Sequence, residues 1–320
     1  MKLGAEAATS SGWVKPARRG ARRRRLPVCT LAVAAVLVAA LPGSAGALQT
    51  KQRALEHGLW VWKAPSVAGT SAGASALRAF CTSHQVNAVY LSNFDVSEHP
   101  AEATMENTIV QVHAAGIHVE ALFSSTDADE PGEHREKLLD EVRAVVAYDR
   151  DEPNARFDGI HLDIEPQQRA ENKGSANLWY LPDLVATYRD VRDIADPAHL
   201  TVDADIERKL LEGDVSQRRS LMSALPRLTL MLYGLNSRDG GSTEKQAALT
   251  LRADSEKYLA MAYRGLGGNG LATMVIGLRT RDYGTFLPAM LATVEAANRA
   301  NAHYGGWALH AYNDSSTTAR

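Results

Sequence analysis

Residues 157 to 166 read Phe-Asp-Gly-Ile-His-Leu-Asp-Ile-Glu-Pro, an alternation whose polar members end in two carboxylates. In an extended chain successive side chains point to opposite faces, so His161, Asp163 and Glu165 share one face and Ile160, Leu162 and Ile164 the other. Second neighbours on a strand lie about 6.5 to 7 Å apart at roughly 3.3 Å rise per residue, so the Asp163 and Glu165 charges repel and their titrations separate. One acid then holds a proton near neutrality while the other stays ionised, the division that general acid catalysis requires. Two unpaired acids at the end of a buried strand are costly, which favours a site over core filling.

A row of this kind needs a scaffold, and the rest of the chain supplies one. Short β-type runs at Leu59 to Trp62, Asn87 to Ser92, His118 to Phe123, Phe157 to Ile164, Leu200 to Ile206, Leu228 to Tyr233, Thr273 to Arg279 and Gly306 to Ala311 alternate with amphipathic segments. The latter are Ala76 to His84, Met105 to Ala115, His134 to Val146, Leu178 to Ala195, Gln217 to Leu225, Glu244 to Tyr263 and Phe286 to Ala302. This alternation and length predict a single-domain α/β fold, a (β/α)8 TIM barrel, over residues 48–320. Gly116, Gly265 and Gly305 fall where left-handed helix caps are expected. Catalytic groups in such barrels sit at the carboxyl ends of the strands. Those ends carry Trp60 and Trp62, then Ser92, Asn93 and Asp95, then Ser124 and Ser125. The later strands add Asp163 and Glu165, then Asp203, Asp205 and Glu207, then Met231 and Tyr233, Arg279, and finally His310 and Tyr312.

Residues 1–47 read as a signal peptide: Arg18, Arg19 and Arg22 to Arg25 precede an apolar stretch from Leu26 to Leu41, and Ala45-Gly46-Ala47 has the small-x-small cleavage pattern. Export to the periplasm or medium follows, with an uncleaved membrane anchor as the alternative. Beyond the leader the 320-residue chain keeps 27 Lys or Arg against 36 Asp or Glu, a formal net of −9. An acidic surface with no basic stripe excludes nucleic acid as a partner, and after cleavage nothing suggests a membrane one. Only Cys81 remains, within an amphipathic helical pattern, so no intrachain disulfide forms and a buried, inert thiol is expected.

Residues 158 to 165 resemble the Asp-Gly-x-Asp-x-Asp-x-Glu signature of glycoside hydrolase family 18, the chitinases and endo-β-N-acetylglucosaminidases, at Asp158, Gly159, Asp163 and Glu165. Met231-Leu232-Tyr233 looks like that family's Met-x-Tyr on the sixth strand, and Gly305-Gly306 like the pair opening its eighth. The chain departs from the family where His161 replaces the middle aspartate, where His310 replaces the floor tryptophan, and where Ser124-Ser125 stands in place of Ser-x-Gly-Gly. The resemblance implies Glu165 as general acid, Asp163 orienting a substrate acetamido group, and Tyr233 hydrogen-bonding that group, whose oxygen replaces a protein nucleophile. His161 offers a ring that is either neutral or cationic, and a cation would keep Asp163 ionised and alter the pH profile.

The substrate-side candidates are His161, Asp205, Met231, His310, Trp60, Trp62 and Arg279. Asp205 is a reserve second carboxylate or part of a polar layer orienting the fourth-strand acids. Arg279 is a countercharge for those acids, and Trp60 and Trp62 share one face suited to a sugar ring or to barrel packing. Asp158 is expected to fix the start of its strand. His161 with Asp163 and His310 would make a metal site, but without metal-ligand spacing a satisfied core histidine is the stronger reading, and no metal or cofactor is implied. The acidic run Asp127 to Glu133 reads as a solvated loop, and Gly265 to Gly270 as a loop without the residues of a phosphate cradle. The expected activity is hydrolysis of an exported protein's glycan substrate, with a non-catalytic carbohydrate-binding barrel and a metal-dependent hydrolase as the alternatives.

Overall fold

The computed structural model describes residues 55–92, 99–173, 178–233, 243–267 and 270–312. The leader, residues 1–47, and the candidates Asn93 and Asp95 lie outside the described residues. Eight parallel strands close into a barrel in chain order. They are β1 (Glu56–Val61), β2 (Ala88–Ser92), β3 (His118–Ser125), β4 (Gly159–Ile164), β5 (Thr201–Glu207), β6 (Arg227–Met231), β7 (Thr273–Arg279) and β8 (Tyr304–His310). The helices between them are α1 (Ala64–Ala68), α2 (Ser71–Ser83), α3 (His99–His113), α4 (Glu133–Asp151), α5 (Leu181–Ala195), α6 (Val215–Met222), α7 (Glu244–Tyr263), α8 (Thr280–Tyr283) and α9 (Leu287–Asn298). The expected single-domain (β/α)8 architecture is therefore the one observed. None of the described helices is long and apolar enough to cross a membrane.

Alternation on the strands separates two interiors. Ile160, Leu162 and Ile164 of β4 join the large apolar core between sheet and helices, whereas His161 and Asp163 face the barrel axis. The axis holds a smaller apolar set, including Trp60, Tyr90, Leu122, Val275 and Ala308, and an unusual share of buried charge. At its amino-terminal end the Arg227 guanidinium pairs with Glu56, with Asp203, and with Glu120 at 2.8 Å. Tyr90 donates to Glu56 at 2.5 Å, and Gly58 makes this possible, since a Cβ there would lie 2.1 Å from the Tyr90 hydroxyl.

Several boundaries differ from those expected. β1 starts at Glu56, whose carboxylate pairs with Arg227, and ends before Trp62. β6 ends at Met231, leaving Tyr233 just past the strand. Gly305 is no helix cap: it lies inside β8, where pairing with β7 slips by one residue between Met274 and Val275. Gly306 beside it has φ 125° and lies so close to the Glu56 backbone that a Cβ would meet its oxygen at 1.9 Å. Gly116 and Gly265 do adopt the left-handed conformation, at φ 73° and 74°. Cys81 is buried and burial pushes its thiol up to about 12, as an inert side chain requires.

Candidate active site at the carboxyl end of the barrel

A hollow of about 200 Å³ opens at the carboxyl ends of the strands. Asp163 and Glu165 reach it from β4, Asp205 from β5, Met231 and Tyr233 from β6, Arg279 and Arg281 from β7 and α8, and His310 from β8, with Trp60 beneath. Eight of the ten sequence candidates thus line one hollow, from β1, β6, β7 and β8 as well as β4 and β5, and need no local motif to meet; barrel closure brings them together. Asp158 remains at the opposite end of β4, where Oδ2 accepts from the Val119 backbone N–H and lies 2.9 Å from the His113 ring, fixing the strand start as expected.

Glu165 follows β4 directly, and its backbone N–H donates to the Ser125 carbonyl at 2.8 Å, which keeps it in register with β3. Gln167 donates to its Oε1 at 2.9 Å and Gln168 to its Oε2. Burial, then the charges of Asp205 and Glu207, push the Glu165 carboxyl up to about 7. Asp163 is 8% exposed, and its Oδ1 has no hydrogen-bond partner among the described residues. Burial, then Asp205 and Glu165, lift its carboxyl well above the usual carboxylate range. Of the two forms open to His161, the cationic one is expected to keep Asp163 ionised; the imidazole does pull in that direction, but burial and two carboxylates outweigh it. The Tyr233 hydroxyl likewise has no partner among the described residues, and burial followed by the Asp205 charge keeps it a phenol.

His161 is corrected as a substrate contact. It is fully buried beneath the hollow, with Nδ1 3.2 Å from Glu120 Oε2 and Nε2 3.0 Å from Asp205 Oδ1. Its ring stacks on Tyr90 with centroids 3.7 Å apart. A neutral imidazole would point one lone pair at a carboxylate, so this position suits a doubly protonated ring donating to both acids. Burial opposes the cation, yet Asp205 and Glu120 carry it up to about 10. Asp205 accepts from the Trp60 indole N–H on its other oxygen at 2.9 Å. With one oxygen turned to His161 and the other to Trp60, it serves as an oriented charge beside the two β4 acids.

The tryptophans divide by depth. Trp60 is wholly buried and forms the floor, whereas Trp62 is half-buried outside the hollow, donating to His310 Nε2 at 2.9 Å. Arg279 is not the countercharge of the β4 acids; it pairs with Asp282 at 2.7 Å and stands 5.8 Å from the Tyr233 ring centroid. His161 and His310 belong to separate hydrogen-bond sets, so the metal site of His161, Asp163 and His310 does not assemble. The one group of acids close enough to hold an ion among the described residues, Glu56, Glu120 and Asp203, surrounds Arg227 instead.

Sequence reasoning missed the support behind Glu165. Asp129, read as part of a solvated loop, is fully buried and accepts both Arg169 Nη atoms at 3.0 Å. Arg169 also lies 3.0 Å from Glu130 and 3.3 Å from Glu171, so it ties the loop after β3 to the turn carrying Gln167 and Gln168. No local pattern marks an arginine as the partner of an acid 40 residues earlier.

No family model matches the sequence, and no curated protein does. Among solved structures the barrel is similar to GH5_18 from Streptomyces cattleya in complex with GlcNAc, at 8% identity, 80% of this chain, 71% of that chain and a TM-score of 0.59. The same comparison holds for GH5_18 from that organism in complex with Manb1-4GlcNAc, at 8% identity, 80% and 70% coverage and a TM-score of 0.57. The endo-1,4-beta-mannanase from Rhizomucor miehei aligns at 10% identity, 80% and 86% coverage and a TM-score of 0.51. At such identities the likeness is one of fold alone, an eight-stranded (β/α)8 barrel.

Proposed function

We propose that this chain is an exported glycoside hydrolase that cleaves an N-acetylhexosamine-containing glycan, with Glu165 as general acid and Asp163 as the carboxyl that orients the substrate. The observation that carries this reading is the pairing of a carboxyl held near neutrality with unsatisfied polar atoms on Asp163 and Tyr233 in one open hollow. Buried polar atoms normally have partners, so two orphans lining one hollow fit a ligand that supplies them. The sequence resemblance to family 18 and the glycosidase barrels among the structural neighbours agree with it.

In this route Glu165 gives its proton to the glycosidic oxygen as the bond to the anomeric carbon breaks and the electron pair leaves with that oxygen. The acetamido oxygen of the same sugar forms the new bond to the anomeric carbon. Asp163 Oδ1 accepts the acetamide N–H and fixes its direction, while the Tyr233 O–H donates to the acetamide oxygen. Water then opens the cyclic intermediate, and the Glu165 carboxylate takes up the water's proton. Asp205, oriented by Trp60 and His161, offsets the positive charge that develops at the anomeric carbon. Its two oxygens are already hydrogen-bonded, which disfavours it as a nucleophile.

The test is turnover of a panel of β-linked N-acetylhexosaminides and mannosides by wild type and Asp163→Asn. Hydrolysis confined to acetamido sugars and lost in Asp163→Asn supports the assisted route. Equal loss on sugars without an acetamide removes that role from Asp163, and no turnover by wild type on any member refutes the enzymatic reading.

A further inference from the structure

Resting on that reading, we propose that Trp179 is a sugar-stacking platform on the rim of the hollow, a binding site for a second glycan unit. The hollow's volume of about 200 Å³ falls below the roughly 300 to 1,000 Å³ of sites that enclose a whole small molecule. It has room for one ring, so further units of an oligosaccharide must run over the barrel mouth. Trp60 and Trp62 do not receive them, the first being buried and the second turned to His310.

Trp179 is 45% exposed, and of the large exposed apolar side chains among the described residues it alone is aromatic; the others are Val110, Val215 and Leu249. It lies between β4 and α5, on the carboxyl side of the strands. Two connections tie it to the catalytic rim. The Arg169 guanidinium sits 5.9 Å from its ring centroid, one residue after Gln168, which donates to Glu165. The next residue, Tyr180, donates to Glu207 at 3.1 Å, and Glu207 is one of the charges that raises the Glu165 carboxyl.

The indole is also held in place. Arg169 is anchored by Asp129, Glu130 and Glu171, and Tyr180 is buried with its ring edge-on to Trp179 at 6.2 Å. The indole is therefore held between a fixed cation and a buried ring, with nearly half of its surface open to solvent. A large rigid apolar face costs little conformational entropy on binding. The apolar C–H face of a pyranose ring matches it in size and character.

The experiment measures binding of N-acetylglucosamine and β-1,4-mannose, each as monomer and tetramer, by calorimetry in full-length Glu165→Gln protein, where hydrolysis is blocked. Adding Trp179→Ala should weaken tetramer binding about tenfold, equivalent to about 1.4 kcal/mol, and leave monomer binding unchanged. Trp179→Phe should restore most of the loss. A Trp179→Ala protein that melts with its parent yet binds tetramers as tightly overturns the platform, as does equal weakening of monomer and tetramer. Absence of tetramer binding in the parent also overturns it. Tight tetramer binding without turnover by wild type would instead refute the hydrolase and leave the platform standing.

Discussion

Replacing Arg227 by methionine tests the electrostatic floor of the barrel. The guanidinium is buried and serves Glu56, Glu120 and Asp203 at once. Methionine keeps much of the volume, so the loss is electrostatic. Glu56 would retain the Tyr90 hydroxyl and Glu120 the His161 ring as hydrogen-bond donors, while the countercharge common to all three acids would disappear. Removing one partner of a buried ion pair costs about 3 to 5 kcal/mol, against a total stability of about 5 to 15 kcal/mol. For a chain of this size that is a fall of roughly 6 to 20 °C in melting temperature, at about 2 to 4 °C per kcal/mol. Glu56 is already raised by burial, with Arg227 acting to lower it, so removal of Arg227 raises it further. The deficit of the variant therefore widens as pH rises above the ordinary carboxylate range and narrows as the acids take up protons. Urea and thermal unfolding at pH 5 and pH 8 measure this. Adding Asp203→Asn should recover part of the loss, because it removes one stranded charge. A single variant within about 1 kcal/mol of wild type at pH 8, or a double variant weaker than the single one, would refute the reasoning.

Glu165→Gln should be more stable than wild type above pH 7. The folded carboxyl titrates near 7 against an ordinary 4.5, so wild type loses stability as pH rises through that window while the amide does not. Melting curves that coincide at pH 8 would count against the shifted acid. Hydrolysis should decline above about pH 7 as Glu165 loses its proton, and Asp205→Asn should move that decline to lower pH by removing a neighbouring charge; an unmoved limb in the profile of kcat/KM would exclude the coupling. The His161 ring should stay doubly protonated up to about pH 10, contributing stability that is fully present below its ordinary 6.5 and lost as pH rises through 10. Nitrogen-15 NMR reads this directly, and a neutral tautomer at pH 8 would contradict it.

The scaffold was legible wherever a pattern is local. Period-two alternation places Ile160, Leu162 and Ile164 outward and His161 and Asp163 inward, and the helical run Glu244–Tyr263 has the bounds expected from its periodicity. Convergence of strand ends then follows from closure alone, which is why Asp163, Glu165, Asp205, Met231, Tyr233, Arg279 and His310 meet at one mouth. Depth along the axis was not legible. Alternation assigns Trp60 and Trp62 to one face, but the tier occupied decides that the first is sealed and the second half-open. Partners distant in sequence were equally hidden: His161 meets acids 41 and 44 residues away, and Arg227 meets Glu120 across 107. The acidic run around Asp129 looked solvated because its neutralising arginine lies in the turn after another strand.

The most direct test of Glu165 as proton donor is the leaving-group dependence of Glu165→Gln. On one N-acetylhexosamine donor, a substrate whose departing phenol is strongly acidic needs no proton, whereas a sugar or alkyl leaving group does. The variant should lose about 10² to 10⁴-fold in kcat/KM on the poor leaving group and retain most of its rate on the activated phenol. Equal losses on both, or none on either, would contradict the assignment.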